Sequence, residues 1–104
     1  MSPAPRDRRI ATEILEWRGV TIEIGYEAEW LGGNLQAHLE LRVRHPEGAL
    51  LPVTETGYRS HFLSRQIVEE AGGPAAFVTA WLDEAAESNS WRAGELARRQ
   101  LSLF

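Results

Sequence analysis

Val20, Ile22, Ile24, Tyr26, Ala28 and Trp30 share one side of an extended segment, while Thr21, Glu23, Glu27 and Glu29 share the other. This period-two alternation is the signature of a half-buried strand. After a turn at Leu31 to Asn34, which holds two glycines, Leu35, Ala37, Leu39, Leu41 and Val43 alternate with Gln36, His38, Glu40, Arg42 and Arg44. Pairing Trp30 with Leu35 sets Ala28 opposite Ala37, Tyr26 opposite Leu39, Ile24 opposite Leu41 and Ile22 opposite Val43, so every apolar position shares a face. The same register puts Glu23 against Arg42 and Glu27 against His38 on an exposed outer face, where such pairs contribute ~0.2–1 kcal/mol each. Upstream, Arg18 and Gly19 fit a two-residue hairpin loop that pairs Trp17 with Val20 and Leu15 with Ile22. A three-stranded antiparallel meander follows, with room for a short fourth strand at Leu50 to Val53, which Pro52 restricts to the sheet edge.

Beyond residue 63 the period changes. Ser64 to Ala71 predicts a short helix stopped by Gly72 and Gly73, and Pro74 suits the first turn of a second helix running to about Glu87. Phe77, Ala80, Trp81 and Ala85 form its expected apolar stripe, the lid for the open face of the meander. Ser88, Asn89 and Ser90 offer a cap for a third segment from Trp91 onward, although Gly94 weakens that segment by about 1 kcal/mol relative to alanine. The expected fold is therefore α+β: a βββ meander followed by two or three helices packed on one face. Residues 10–88 make the globular domain, 89–104 a C-terminal helix or tail, and 1–9, with three arginines and two prolines, a flexible leader.

Composition narrows the function. The 104 residues suffice for one core, and an apolar share of 43% with 25% charged residues is ordinary for a globular domain. No apolar run approaches the roughly 18 residues of a membrane span, and residues 1–9 lack the apolar stretch of a secretory signal. A cytoplasmic protein is expected. Without cysteine there is no disulfide, thiolate nucleophile or cysteine-ligated metal, and a net charge of −4 disfavours non-specific nucleic-acid binding.

The chain ends Gln100, Leu101, Ser102, Leu103, Phe104, with three large apolar residues where a polar, frayed terminus is the norm. These five residues resemble the Gln-Leu-Ser/Asp-Leu-Phe motif by which DNA polymerases, mismatch-repair proteins and initiator regulators bind the bacterial sliding clamp. The resemblance implies that Leu101 and the Leu103–Phe104 pair enter an apolar clamp pocket while the Gln100 amide sets register by hydrogen bonding. The clamp is thus the expected protein partner. Ala97, Leu101 and Phe104 also lie at helical spacing, which a third helix folded onto the core would explain equally.

Thr54 to Phe62 reads as a loop from sheet to helix, within which Tyr58, Arg59 and His61 form a second candidate surface for a phosphate or carboxylate. A structural account competes with it: Gly57 supplies a turn, Tyr58 and Phe62 fill the core, and Ser60 orders the helix start. Together with Trp17-Arg18-Gly19 and Phe77 to Ala86, this stretch resembles small proteins of plasmids and integrative elements of alphaproteobacteria. That likeness suggests a mobile-element accessory role and carries over no activity. An anti-defence or regulatory protein, acting through an acidic face of Glu23, Glu27 and Glu29 as a decoy for nucleic-acid enzymes, is the alternative. Direct nucleic-acid contact through Arg42, Arg44 and Arg59 ranks last, because Arg42 already faces Glu23.

No catalytic residues, metal ligands or cofactor motif emerge. His38, His45 and His61 are dispersed without metal-ligand spacing. Ser60 beside His61 lacks an orienting third group, and Asp83, Glu84 and Glu87 fit a solvated helix face. A non-enzymatic interaction protein is expected, its oligomeric state left open.

Overall fold

The computed structural model describes residues 10–30 and 36–101, the last of these by backbone alone. The expected leader, the expected turn at Leu31 to Asn34 with the Trp30–Leu35 pairing across it, and residues 102–104 lie outside the described residues. Four strands, β1 (Ile10–Trp17), β2 (Val20–Glu27), β3 (Gln36–His45) and β4 (Tyr58–Ser64), precede three helices, α1 (Arg65–Ala71), α2 (Pro74–Ala85) and α3 (Asn89–Leu101). The strands form one antiparallel sheet in chain order, β1-β2-β3-β4. The fold is α+β.

Arg18 and Gly19 both have positive φ, 47° and 81°, as a tight turn matched to strand twist requires. Trp17 accordingly pairs with Val20 and Leu15 with Ile22. Across β2 and β3, Tyr26 faces Leu39, Ile24 faces Leu41 and Ile22 faces Val43, as the alternation predicts, before an irregularity at Thr21/Ile22. Ala28 departs from the expected ladder, because residues 28–30 form a turn.

The fourth strand is not where the alternation placed it. Leu50 to Val53 turns back on itself, with Leu51 and Thr54 exchanging backbone hydrogen bonds of 3.4 and 3.2 Å, and Leu51 is buried in the core. The edge position belongs to Tyr58–Ser64, which pairs with β3 from Arg42↔Tyr58 to Gln36↔Ser64. The expected loop from Thr54 to Phe62 is therefore a strand for more than half its length, and its polar residues are those of an edge strand with one wet face.

Ser64 ends β4 and caps α1, accepting a hydrogen bond from the Gln66 amide at 3.2 Å. At the other end Gly72 adopts φ 104°. Its N–H donates to Glu69 O, and that of Gly73 to Val68 O, the paired bonds of a Schellman stop. Gly73 at φ 115° and Pro74 then open α2.

The apolar stripe of α2 is rotated from the expected one. Val78 and Leu82, with Ala86 just beyond the helix, are buried, whereas Phe77, Trp81 and Ala85 are half-buried and Ala80 is exposed. The compact branched side chains fit over the sheet centre, with Ile22, Ile24, Leu39 and Leu41 fully enclosed below. The larger rings rest at the β4 edge, a partner absent from a three-stranded plan. On the opposite flank the Trp17 indole donates to Asp83 at 2.9 Å, fastening α2 to β1.

Ser88 begins α3, accepting from Trp91 N at 3.2 Å through its hydroxyl and from Arg92 N at 3.1 Å through its carbonyl. Trp91 packs against the core. Farther along, Leu96, Ala97 and Gln100 are exposed. Among the described residues no helix is long and apolar enough to cross a membrane.

Candidate functional site

Strand alternation divides the second candidate surface between two faces of the sheet. Arg59, His61 and Leu63 pair with Leu41, Leu39 and Ala37 on the helix-covered side, while Tyr58, Ser60 and Phe62 point to the outer side. Tyr58, Arg59 and His61 therefore do not converge. The Tyr58 hydroxyl donates to Glu40 Oε2 at 2.6 Å, and the Arg42 guanidinium lies 4.9 Å from the centre of its ring. That hydrogen bond to the carboxylate raises the Tyr58 pKa above its ordinary value. Neither Tyr58 nor Phe62 fills the core, since they are 38% and 48% exposed. Ser60 bonds to His38 instead of ordering the helix start.

On the covered side Arg59 donates through Nη1 to Val53 O at 3.1 Å, and its guanidinium stands 5.6 Å over Trp81. The His61 ring lies 4.7 Å from Trp81 and 6.4 Å from Phe77, stacked on the latter. Burial, and secondarily the Arg59 charge, holds the His61 pKa below its usual 6.5. The unfolded chain therefore takes up a proton that the folded chain resists. This contribution to stability is complete above pH ~6.5 and is lost as pH falls toward the lowered folded value. Thermal melts between about pH 7.5 and 5.5 should show a smaller acid-side loss for His61→Gln than for the parent chain; parallel pH profiles would refute the assignment.

The outer face carries a cluster that the sequence pattern did not reveal. Trp30, expected on the core face, crosses over at the 28–30 turn. Its ring centre lies 4.9 Å from His38 and 5.3 Å from Phe62, and His38 and Phe62 are 4.6 Å apart. His38 Nε2 and Ser60 Oγ are 2.6 Å apart. His38 is consequently buried, at 8% exposed, and its cross-strand neighbour Glu27 is also buried, at 6%, where strand alternation alone predicts open positions. The strand character of Tyr58–Ser64 is the signal that leads to this cluster, because its register places Phe62 directly opposite His38.

The three glutamates of the acidic alternative do not form one open carboxylate surface. Glu23 stands opposite Arg42 as the register predicts, while its carboxylate accepts from Arg44 Nε at 2.7 Å and Nη2 at 2.6 Å, a diagonal pairing. Glu27 is enclosed, and Glu29 stands 3.8 Å from Arg65.

Between the 50–56 turn and the start of α3 lies a cavity of about 580 Å³, lined by Leu51, Val53, Arg59, Ser88, Trp91 and Arg98 among others. The Arg98 guanidinium sits 4.7 Å over the Trp91 ring at its wall. Of the five-residue tail, Gln100 is exposed on the last turn of α3, Leu101 ends the helix, and the remainder lies outside the described residues. Among the described residues no three histidine, aspartate or glutamate side chains are grouped to hold a metal ion.

No curated protein and no solved structure matches the chain. A family model described as the KlcB third domain matches residues 10–91, from the first residue of β1 to the first turn of α3. The matched span takes in the whole sheet, the glycine stop between α1 and α2 and the α2 lid, so this chain belongs to the KlcB third domain family.

Proposed function

We propose that this chain is a non-enzymatic interaction protein of mobile elements that docks on the bacterial sliding clamp through Gln100, Leu101, Ser102, Leu103 and Phe104, modulating replication or repair or recruiting a factor to it. The observation that carries the proposal is the exposure of the last turns of α3. Leu96 is 57% exposed, Ala97 and Gln100 are exposed, and the helix rests on the core through Trp91 near its start. The rival in which Ala97 packs the chain end onto the core draws no support from that exposure. The KlcB family is plasmid-associated, which agrees loosely with a mobile-element setting. Burial of leucine and phenylalanine stabilises a complex by roughly 1.5–3 kcal/mol per side chain. Ordering the tail offsets much of this, giving an expected Kd on the order of micromolar.

Calorimetric titration of a bacterial clamp with the full chain, with a form lacking residues 100–104, and with Leu103→Ala/Phe104→Ala tests the idea. Binding should weaken at least about tenfold, equivalent to ~1.4 kcal/mol, in both altered forms. Equal binding by all three, or none by the full chain, rejects clamp docking. The acidic-face alternative is weakened by the Glu23–Arg44 pairing and the enclosure of Glu27. It would regain standing if charge reversal at Glu29 abolished an activity that tail deletion left intact.

A further inference from the structure

From the outer edge of β1, which pairs with no other strand among the described residues, we infer that this chain forms a two-fold dimer by antiparallel pairing of β1 with β1 of a second copy, joining the sheets of the two copies into one. This inference is independent of clamp docking.

β1 is a terminal strand of the sheet. Its register with β2 is unbroken from Ile10↔Glu27 to Trp17↔Val20. Residues flanking a two-residue hairpin loop form a mutually hydrogen-bonded pair. Trp17, Leu15, Glu13 and Ala11 therefore direct their backbone groups to β2, and Glu16, Ile14, Thr12 and Ile10 direct theirs outward. Residues 10–14 are exposed whichever face they belong to, with Ile10 at 42% and Ile14 at 59%. Edge strands of monomeric proteins are commonly protected by proline, lysine, a bulge or a covering element. From Ile10 to Trp17 there is no proline, no basic residue and no bulge.

The occupant follows from the self-complementarity of Ile10-Ala11-Thr12-Glu13-Ile14. A two-fold axis at Thr12 sets Ile10 against Ile14 of the other copy twice over, and Ala11 against Glu13. Every residue with outward backbone groups then meets another such residue, as a hydrogen-bonded antiparallel pair demands. The isoleucines meet on one face, and each glutamate faces an alanine. An axis one residue later, at Glu13, opposes the two Glu13 carboxylates directly, which is destabilising. An axis at Ile14 sets Ile10 against Arg18 in the hairpin turn. Thr12 is thus the centre that both apolar matching and charge select.

The cysteine-free chain makes the axis measurable. Thr12→Cys should form a disulfide-linked dimer on mild oxidation, since directly paired Cα atoms about 5.5 Å apart lie within disulfide range, and Glu13→Cys should crosslink far more slowly. In light scattering the unmodified chain should show twice its 11.7 kDa mass. Thr12→Pro, which removes an outward N–H at an edge-strand position where proline is tolerated, and Ile14→Lys should each restore the single mass with the circular dichroism spectrum retained. A single mass for the unmodified chain at its highest soluble concentration overturns the inference. So does faster crosslinking at Glu13 than at Thr12, or a dimer that persists in a folded Ile14→Lys variant; a foreign strand as natural occupant would produce the first of these.

Discussion

Leu39→Ala should lower the unfolding free energy by about 2–5 kcal/mol, a large fraction of the roughly 5–15 kcal/mol that holds a domain folded. Leu39 lies on β3, hydrogen-bonded to strands on both sides, with Tyr26 and His61 as its cross-strand neighbours. Its side chain is fully enclosed. Truncation leaves a void between the sheet and the α2 side chains Val78 and Leu82, which the ladder on either side cannot close by moving. Urea unfolding measures the effect, with Leu96→Ala as control: Leu96 is 57% exposed, and its loss should shift stability by no more than about 0.5 kcal/mol. Comparable shifts for the two variants would contradict the position of the core.

The second large effect is expected at the glycine pair between α1 and α2. Gly72 and Gly73 hold φ at 104° and 115°, where any residue with a Cβ is strained. A Cβ on Gly72 would also sit 3.4 Å from the Ala76 side chain. Gly72→Ala/Gly73→Ala should destabilise by roughly 2–4 kcal/mol, without strict additivity because the two residues share one turn. Gly19→Ala is a useful comparison, since its added Cβ meets nothing within 4 Å and only the φ of 81° opposes it. If the double variant melts with the parent chain, the left-handed geometry of this elbow is wrong.

Local chemistry made much of this fold legible. The alternation from Leu15 to Val43 was long, unbroken by proline and anchored by a two-residue turn, so a one-residue slip would have mixed apolar and charged positions on one face. The same holds for the glycine stop and for Pro74, each of which acts within a turn of the chain, whereas Ser64, expected as the first residue of the helix, is its cap. What escaped detection depends on distant partners. Tyr58–Ser64 contains two hydroxyl residues, an arginine and a histidine, and looks like a loop until β3 supplies its ladder. Val78 and Leu82 lie beside Phe77 and Trp81 in sequence, and only the shape of the sheet decides which pair is enclosed. The candidate sites are less accessible still: Trp30 changes face in a turn, and His38 is covered by Phe62 from a strand that is visible only through its ladder with β3. Gly94 makes α3 read as a weak segment, and the packing of Trp91 against the core, which steadies the helix, is a tertiary contact that the local pattern does not contain.

Because the sheet order repeats the chain order, each strand leaving the ribosome finds its neighbour already made. The four strands can zip together during synthesis, since chains emerge N-terminus first. Their greasy underside, however, has little beyond Leu51 and Val68 to cover it until residues 74–86 appear. Between those two moments Ile22, Ile24, Leu39 and Leu41 face water or a chaperone, and the nascent chain is at its most adhesive when the sheet is complete and α2 is still inside the exit tunnel.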